Sequence, residues 1–260
     1  MLHPAKADVK RAVAEARRAL ARQARPAGAF DASRYFRGAV TLGFYNVGTR
    51  AVREMAKAIH RAHSDDWSIT DALAFADLLI RDRHLEAKSI GIELLARYRR
   101  QFTRGLLPVW KRWLSRNDAA NWATTDAICG YLIGPLIASY PPLVARVASW
   151  AGDRNVWVRR ASAVSLVALA RKGDALPVVY GVARRLHADR EDLIQKAAGW
   201  LLREAGKRDP ARLERYLRMN GRSIPRTTVR YAIERMPARK RQELIAVTRK
   251  PGGTMRVRKA

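Results

Sequence analysis

Two stretches of this chain can be laid on each other, and the match restricts the fold more than any other feature. One is DRNVWVRRASAVSLVALARKGD, opening at Asp153; the other is DREDLIQKAAGWLLREAGKRD, opening at Asp189, 36 positions on. At that offset Trp157 meets Leu193, Val158 meets Ile194, Arg160 meets Lys196, Ala161 meets Ala197 and Leu166 meets Leu202. Self-similarity at a period of 20–50 residues is the mark of stacked supersecondary units, each unable to bury its apolar face alone. Each unit here is helical. Ile194, Ala197, Ala198, Leu201 and Leu202 fall at i, i+3, i+4, i+7 and i+8, one stripe of an α-helix.

The remainder of the chain is read the same way. Helices are expected over 5–24, 50–63, 69–81, 85–103, a shorter one from Pro108, then 121–138, 141–151, 155–171, 175–188, 191–206, 210–219, 225–236 and 238–248. Asp31 to Arg37 reads as a short helix, and GAVTLGFYNVG after it as an irregular loop. Thr49 and Ser68 stand where N-caps belong. No segment alternates in the period of two that a strand requires. The expected class is all-α, a HEAT-like repeat α-solenoid: a curved array of antiparallel helix pairs with a concave basic face. Residues 1–248 are expected to form one domain, and 249–260, KPGGTMRVRKA after Arg249, a basic disordered tail.

Charge limits the partners. The chain has 51 Lys+Arg against 23 Asp+Glu in 260 residues, a formal charge of +28, yet 48% of it is hydrophobic. A folded domain this basic repels itself and calls for an anionic partner, nucleic acid first. No apolar run reaches the ~18 residues of a membrane span, and no signal peptide is seen. The lone Cys129 excludes an internal disulfide and reads as a core residue. The five histidines have no metal-ligand spacing, so neither metal nor cofactor is expected.

Trp122 and Asp126 lie four residues apart and share a face of the 121–138 helix. From Ala127 to Ala138 that helix is apolar nearly all round and is expected to be buried, with Asp126 as the only charge near it; such a carboxylate is costly unless paired or used. Trp200 falls about 130° off the inward stripe of its helix, beside Lys196. In 155–171 the inward stripe is read as Trp157, Ala161, Val164 and Ala168, with Arg160 about 70° to its side and Arg159 at the back. Trp110, Trp113, Trp150 and Trp157 are expected to be packing residues. Each candidate has a plain structural reading as well: Trp122 as core, Arg160 as a solvated charge, and Asp126 as a helix-dipole partner.

At these residues the chain resembles the AlkD-type DNA alkylation repair family, HEAT-like repeat glycosylases that remove alkylated purines. The segments that carry the resemblance are YFRGAVTLGFYNVGTRAVREMAKAI, NWATTDAICGYLIGP, NVWVRRASAVSLV, IQKAAGWLLREAGKRDP and RTTVRYAIERMP, across roughly 35–237. The resemblance implies a catalytic carboxylate at Asp126, tryptophans facing the lesion's backbone and sugar at Trp122 and Trp200, and a phosphate-holding arginine at Arg160. It also implies an N-terminal aromatic lining the same cleft at Tyr35. From the repeat itself, where one copy carries an Arg pair and the other a Lys and a Trp, Arg159 and Lys196 are read as further DNA contacts. The implied activity is monofunctional hydrolysis of the N-glycosidic bond of positively charged alkylpurines, of the 3-methyladenine and 7-methylguanine type, in duplex DNA, without base flipping. No lysine stands out as a Schiff-base nucleophile for a lyase. A cytoplasmic monomer acting in base excision repair is expected. The alternatives are a non-catalytic HEAT-like nucleic-acid scaffold and, against the charge, a protein adaptor. Asp126 separates enzyme from scaffold, because a phosphate-binding face has no use for a central carboxylate.

Overall fold

The computed structural model describes residues 6–26, 28, 36 and 42–249, and in them the protein is all-α. Fifteen α-helices are described: α1 Ala7–Gln23, α2 Thr49–His63, α3 Ile69–Ile80, α4 Leu85–Leu95, α5 Leu106–Ser115, α6 Trp122–Ile128, α7 Gly134–Ser139, α8 Leu143–Ser149, α9 Val156–Val164, α10 Val167–Lys172, α11 Leu176–Arg185, α12 Asp192–Arg208, α13 Pro210–Asn220, α14 Arg226–Ala232 and α15 Ala238–Val247. Short 3₁₀ or π turns extend several of them. The chain divides into two compact units, Met1–Arg146 and Val147–Ala260.

The repeat is built from one loop chemistry used several times. Asp153 accepts from the Asn155 N–H at 3.0 Å, Asp189 from the Glu191 N–H at 3.0 Å, and Asp82 from the His84 N–H at 3.0 Å. Each carboxylate thus closes the turn that feeds a long helix, as short acidic side chains do. A 3₁₀ turn precedes Asp153 and another precedes Asp189, at Trp150–Gly152 and Leu186–Ala188. Helices open at residues 49, 85, 122, 156, 192 and 226, a step of roughly 36 residues that continues the 153/189 repeat toward both ends.

Six residues after each of these aspartates stands a side chain that ties the loops together. Lys88 Nζ donates to the carbonyls of Ile80 at 2.5 Å and Asp118 at 2.7 Å. Arg159 donates through Nε to Asp189 at 2.6 Å and through Nη1 to the Asp153 carbonyl at 3.0 Å. Gln195 donates to the Asp189 carbonyl at 3.0 Å. Burial pushes the Lys88 ammonium down from its ordinary pKa, a cost that the two carbonyls offset. Arg159 thereby ties the Asp153 and Asp189 turns together.

Local signals set the helix starts. Ser68 accepts from the Asp71 N–H while Asp71 accepts from the Ser68 N–H, a complete capping box. Thr49 is instead the first residue of α2, whose cap is Gly48 without a side-chain bond. The shorter helix starts at Leu106, two residues before Pro108, which the first turn tolerates because its missing N–H would be unpaired there. The expected 85–103 helix is α4 followed by a 3₁₀ turn, Ala96–Gln101. The expected helix at Asp31–Arg37, apart from Phe36, and the tail from Lys250 lie outside the described residues. The described part of the preceding loop, 42–48, is irregular and pinned: Gly43 donates to the Arg83 carbonyl at 2.8 Å and accepts from the Leu85 N–H at 3.0 Å.

The expected 155–171 helix is divided. Ser165 closes α9 and Leu166 donates back only three residues, to Ala163. A 3₁₀ step turns about 120° per residue against 100° in an α-helix, so α10 is rotated relative to the extrapolated stripe. Ala168 is accordingly exposed, where it was expected inside. Trp157, in the first turn of α9 before this step, is also only half-buried against expectation, and Val158, Ala161 and Val164 lie on the buried face. The 191–206 stripe is fully buried, and so are Trp110, Trp113, Trp150 and Cys129.

Against α12 lies α14, and Gly199 makes the closeness possible. A Cβ there would stand 2.4 Å from Tyr231 Cβ and 2.7 Å from the Thr228 carbonyl oxygen. Thr228 Oγ1 also donates to the Gln195 carbonyl at 2.9 Å, fixing α14 in place. Alanine at 199 gains up to ~1 kcal/mol of helix propensity but must push a backbone away, and overpacking costs about 1–3 kcal/mol. Gly199→Ala is expected to lower the midpoint of denaturant unfolding; a raised midpoint would show that α14 yields without cost.

Candidate active site

The first group of candidate residues lies on α6, a helix of only two turns. Asn121 caps it, accepting from the Thr124 N–H at 2.8 Å and donating to Thr124 Oγ1 at 2.9 Å. Thr125 Oγ1 donates to the Ala119 carbonyl at 2.9 Å. These bonds hold the buried side of the helix, since Asn121, Thr124 and Thr125 are all buried. Trp122 and Asp126, one turn apart, are both half-buried and share the side left open. Asp126 is thus not deep, as the apolar run after it suggested; it sits at the edge, within reach of solvent.

The run after Asp126 does not continue as α-helix. Cys129–Ile133 is a π turn, with the Gly134 N–H donating five residues back to Cys129. Pro135 explains the change, because it has no N–H for the carbonyl four residues before it, that of Tyr131. The widened turn leaves Tyr131 40% exposed while Leu132 and Ile133 are buried. π turns inside helices concentrate at functional positions.

An aromatic partner reaches Trp122 from the N-terminal part of the chain. The Phe36 ring stacks on it at 5.4 Å between centroids and 8° between planes, and Phe36 also meets Phe44 at 5.5 Å. Tyr35, the aromatic expected here, lies outside the described residues. Phe36 is next to Tyr35 in the sequence, and no helical periodicity singles it out.

In the second unit, Arg160 and Trp200 occupy α9 and α12. Arg160 is only 6% exposed and donates through Nη1 to the Leu193 carbonyl at 2.5 Å, tying α9 to the first turn of α12. It is therefore not a solvated charge at the flank of its helix. Trp200 is half-buried, beside the buried stripe of α12 and not within it. Lys196, one turn before it, pairs with Asp192 at 2.6 Å; this hydrogen bond pushes the ammonium pKa up and keeps it charged.

Comparison with known proteins gives this arrangement its family. A model described as "DNA alkylation repair enzyme" matches residues 16–236. The chain belongs to the DNA alkylation repair enzyme family. Among solved structures, a predicted DNA alkylation repair enzyme from Enterococcus faecalis has the same fold, with a TM-score of 0.67 over 92% of this chain and 100% of that one, at 17% identity. No curated protein matches the chain.

Membership implies DNA as the substrate and a role in repairing alkylation damage. Some residues near α6 make contacts that did not stand out in the sequence. Phe36 is one. Another is the trio Arg53, Glu93 and Tyr131: Arg53 donates to Glu93 at 3.1 Å and to the Tyr131 hydroxyl at 3.1 Å. Lys88 is a buried lysine, but its ammonium is spent on two carbonyls and is not presented as a nucleophile. Among the described residues, no group of three or more His, Cys, Asp or Glu is placed to hold a metal ion, and no helix is long and apolar enough to cross a membrane.

Proposed function

We propose that the protein is a monofunctional alkylpurine DNA glycosylase, hydrolysing the N-glycosidic bond of positively charged alkylated purines in duplex DNA. The observation that supports this most is the Trp122–Asp126 pair on the half-open side of α6, in a chain that belongs to a DNA alkylation repair family. A purine alkylated at N3 or N7 carries a positive charge, so it leaves as a neutral base and needs no proton from the enzyme. What the reaction needs is stabilisation of the positive charge that grows on the sugar as the C1′–N bond breaks. Asp126 supplies a fixed negative charge for it, and charge placed before the reaction costs no reorganisation during it. Water then adds at C1′ and loses its proton to solvent.

The ring face of Trp122 is proposed to attract the cation developing on deoxyribose, and Trp200 is proposed to contact DNA backbone or sugar. Phe36, stacked on Trp122, keeps that ring from turning away. Arg160 is proposed to hold a flanking phosphate, with Lys196, close enough in space to feel its charge, adding a second cation. Contacts to backbone and sugar leave the damaged base in the stack. Arg159 is engaged through Nε and Nη1 by Asp189 and by the Asp153 and Arg154 carbonyls, so its proposed part in DNA binding is that of a positive charge held in place.

The test is release of free base from methylated duplex DNA, followed by chromatography. The wild-type protein is expected to release 3-methyladenine or 7-methylguanine, and Trp200→Ala to slow release by about tenfold or more while the far-ultraviolet circular dichroism spectrum is kept. Tight duplex binding with no base released would assign the protein to the alternative, a non-catalytic nucleic-acid scaffold.

A further inference from the structure

Between the turn that feeds α12 and the turn that feeds α14 lies a cleft of about 600 Å³. Its wall includes residues of 187–190, of 223–226 and of the end of α15, with Gln195 of α12. Among its described lining residues are three arginines, Arg190, Arg226 and Arg249. The carboxylate among them, Asp189, is already engaged by Arg159 Nε at 2.6 Å and by the Glu191 N–H at 3.0 Å. His187 adds no charge near neutral pH: burial holds its pKa down to about 4, and its Nε2 lies 2.9 Å from the Tyr216 hydroxyl.

Solvated arginines are ordinary on a chain with a formal charge of +28, so position has to separate these from the rest. Arg226 is half-buried, and its Nη1 donates to the Ile245 carbonyl at 3.3 Å and to Thr248 Oγ1 at 3.1 Å. Those bonds fix the guanidinium, and Nε and Nη2 have no hydrogen-bond partner among the described residues. Burial, and then Arg230 and Arg249, push its pKa down: a cation is held where burial and like charge both disfavour it. The bonds to Ile245 and Thr248 explain an arginine at 226. They do not explain why Arg190 and Arg249, exposed side chains from two other segments, meet it at one cleft, neither with a carboxylate partner among the described residues.

The cleft also shares the start of α12 with Arg160. Arg160 reaches the Leu193 carbonyl from α9, the helix before α12 in the repeat, while the cleft opens toward α14, the helix after it, whose Thr228 holds the Gln195 carbonyl. The two places are separated by roughly one helix diameter, ~10 Å. One strand of duplex DNA presents a phosphate for about every 3.4 Å of its axis, so the same strand can reach both.

We propose that this cleft binds a second phosphate of the DNA backbone, a few steps along the strand from the one at Arg160. Arg226 is the fixed donor, and Arg190 and Arg249 add charge from its two sides. A guanidinium fork suits the paired oxygens of a phosphodiester. The site asks nothing of the bases, which stay stacked. It rests on the nucleic-acid reading of the protein and not on catalysis at Asp126.

Fluorescence anisotropy of the full chain with an undamaged duplex, titrated over a range of salt, tests it. Arg190→Ala with Arg249→Ala removes two exposed cations of the cleft. Arg215→Ala with Arg239→Ala removes the same charge from exposed positions on α13 and α15 outside it. The first pair is expected to reduce the slope of log affinity against log salt by about one, as loss of one phosphate contact does, and the second to leave it unchanged. Arg226→Gln keeps a donor for Ile245 and Thr248 without the charge, and is expected to reduce the slope as the first pair does. If it folds poorly by thermal melt, the exposed pair carries the test. Equal slopes in the wild type and the cleft variants overturn the site, and so does an equal reduction by both pairs, which would make these arginines part of the general charge. Isothermal titration with inorganic phosphate separates the other source: phosphate binding that the cleft variants lose, with an unchanged DNA slope, overturns the assignment to DNA backbone. The duplex carries no lesion, so a protein that releases no base can still show this site, and one that releases base can lack it.

Discussion

Asp126→Asn should reduce release of alkylated base by about 100-fold to 1,000-fold, the range lost when a single preorganised electrostatic contact to a transition state is removed. The substitution is nearly isosteric, and Asp126 is half-buried at the edge of α6, so little packing is disturbed. Asp126 lies beyond the first turn of α6, where the helix dipole has largely fallen off, so its loss costs little stability on that account. Affinity for undamaged duplex should be unchanged or higher, because a negative charge close to phosphates has been removed. The pair of measurements, base release and duplex binding, divides the functional readings. If excision persists in the folded variant, Asp126 is not the catalytic carboxylate and the catalytic group lies elsewhere.

The second large effect is that of salt. With a formal charge of +28, binding to duplex should be driven mostly by release of counterions from the phosphates. A protein that neutralises about six phosphates loses roughly 10³-fold in affinity between 50 and 200 mM salt, whatever the sequence of the DNA. Titration across that range should show a straight line of log affinity against log salt. Arg160→Ala should weaken binding and reduce the slope by about one. Since Arg160 Nη1 also holds the Leu193 carbonyl, its removal costs stability as well, and the melt must be recorded alongside. An unchanged slope would assign Arg160 to joining α9 and α12 and nothing more. A wild-type slope near zero would contradict phosphate binding as the source of affinity.

Helix positions were legible in the sequence because they depend on interactions within a few residues. The stripe Ile194, Ala197, Ala198, Leu201 and Leu202 is buried throughout, and the Ser68 cap is formed, both from spacing and side-chain type alone. The repeat was legible for the same reason: Asp153 and Asp189 each close a local turn, and a local turn recurs wherever its residues recur. Where a helix changes pitch, extrapolation fails. The 3₁₀ step at Ser165 and Leu166 turned Ala168 outward, and the π turn before Pro135 turned Tyr131 outward.

By itself, the sequence determined the all-α class, the step of roughly 36 residues, the buried faces of long helices and the need for an anionic partner. These follow from periodicity, turn chemistry and summed charge, which are properties of neighbours or of the whole. Only the tertiary structure decided what each polar side chain does. Arg159 and Arg160 are adjacent, but one spans 30 residues to Asp189 and the other 33 to Leu193. Phe36 stacks on Trp122, far from it in the chain, and Glu86 Oε2 is buried with no hydrogen-bond partner among the described residues. Such contacts join residues far apart in the chain, so no local pattern encodes them, and they become readable only when the helices are packed.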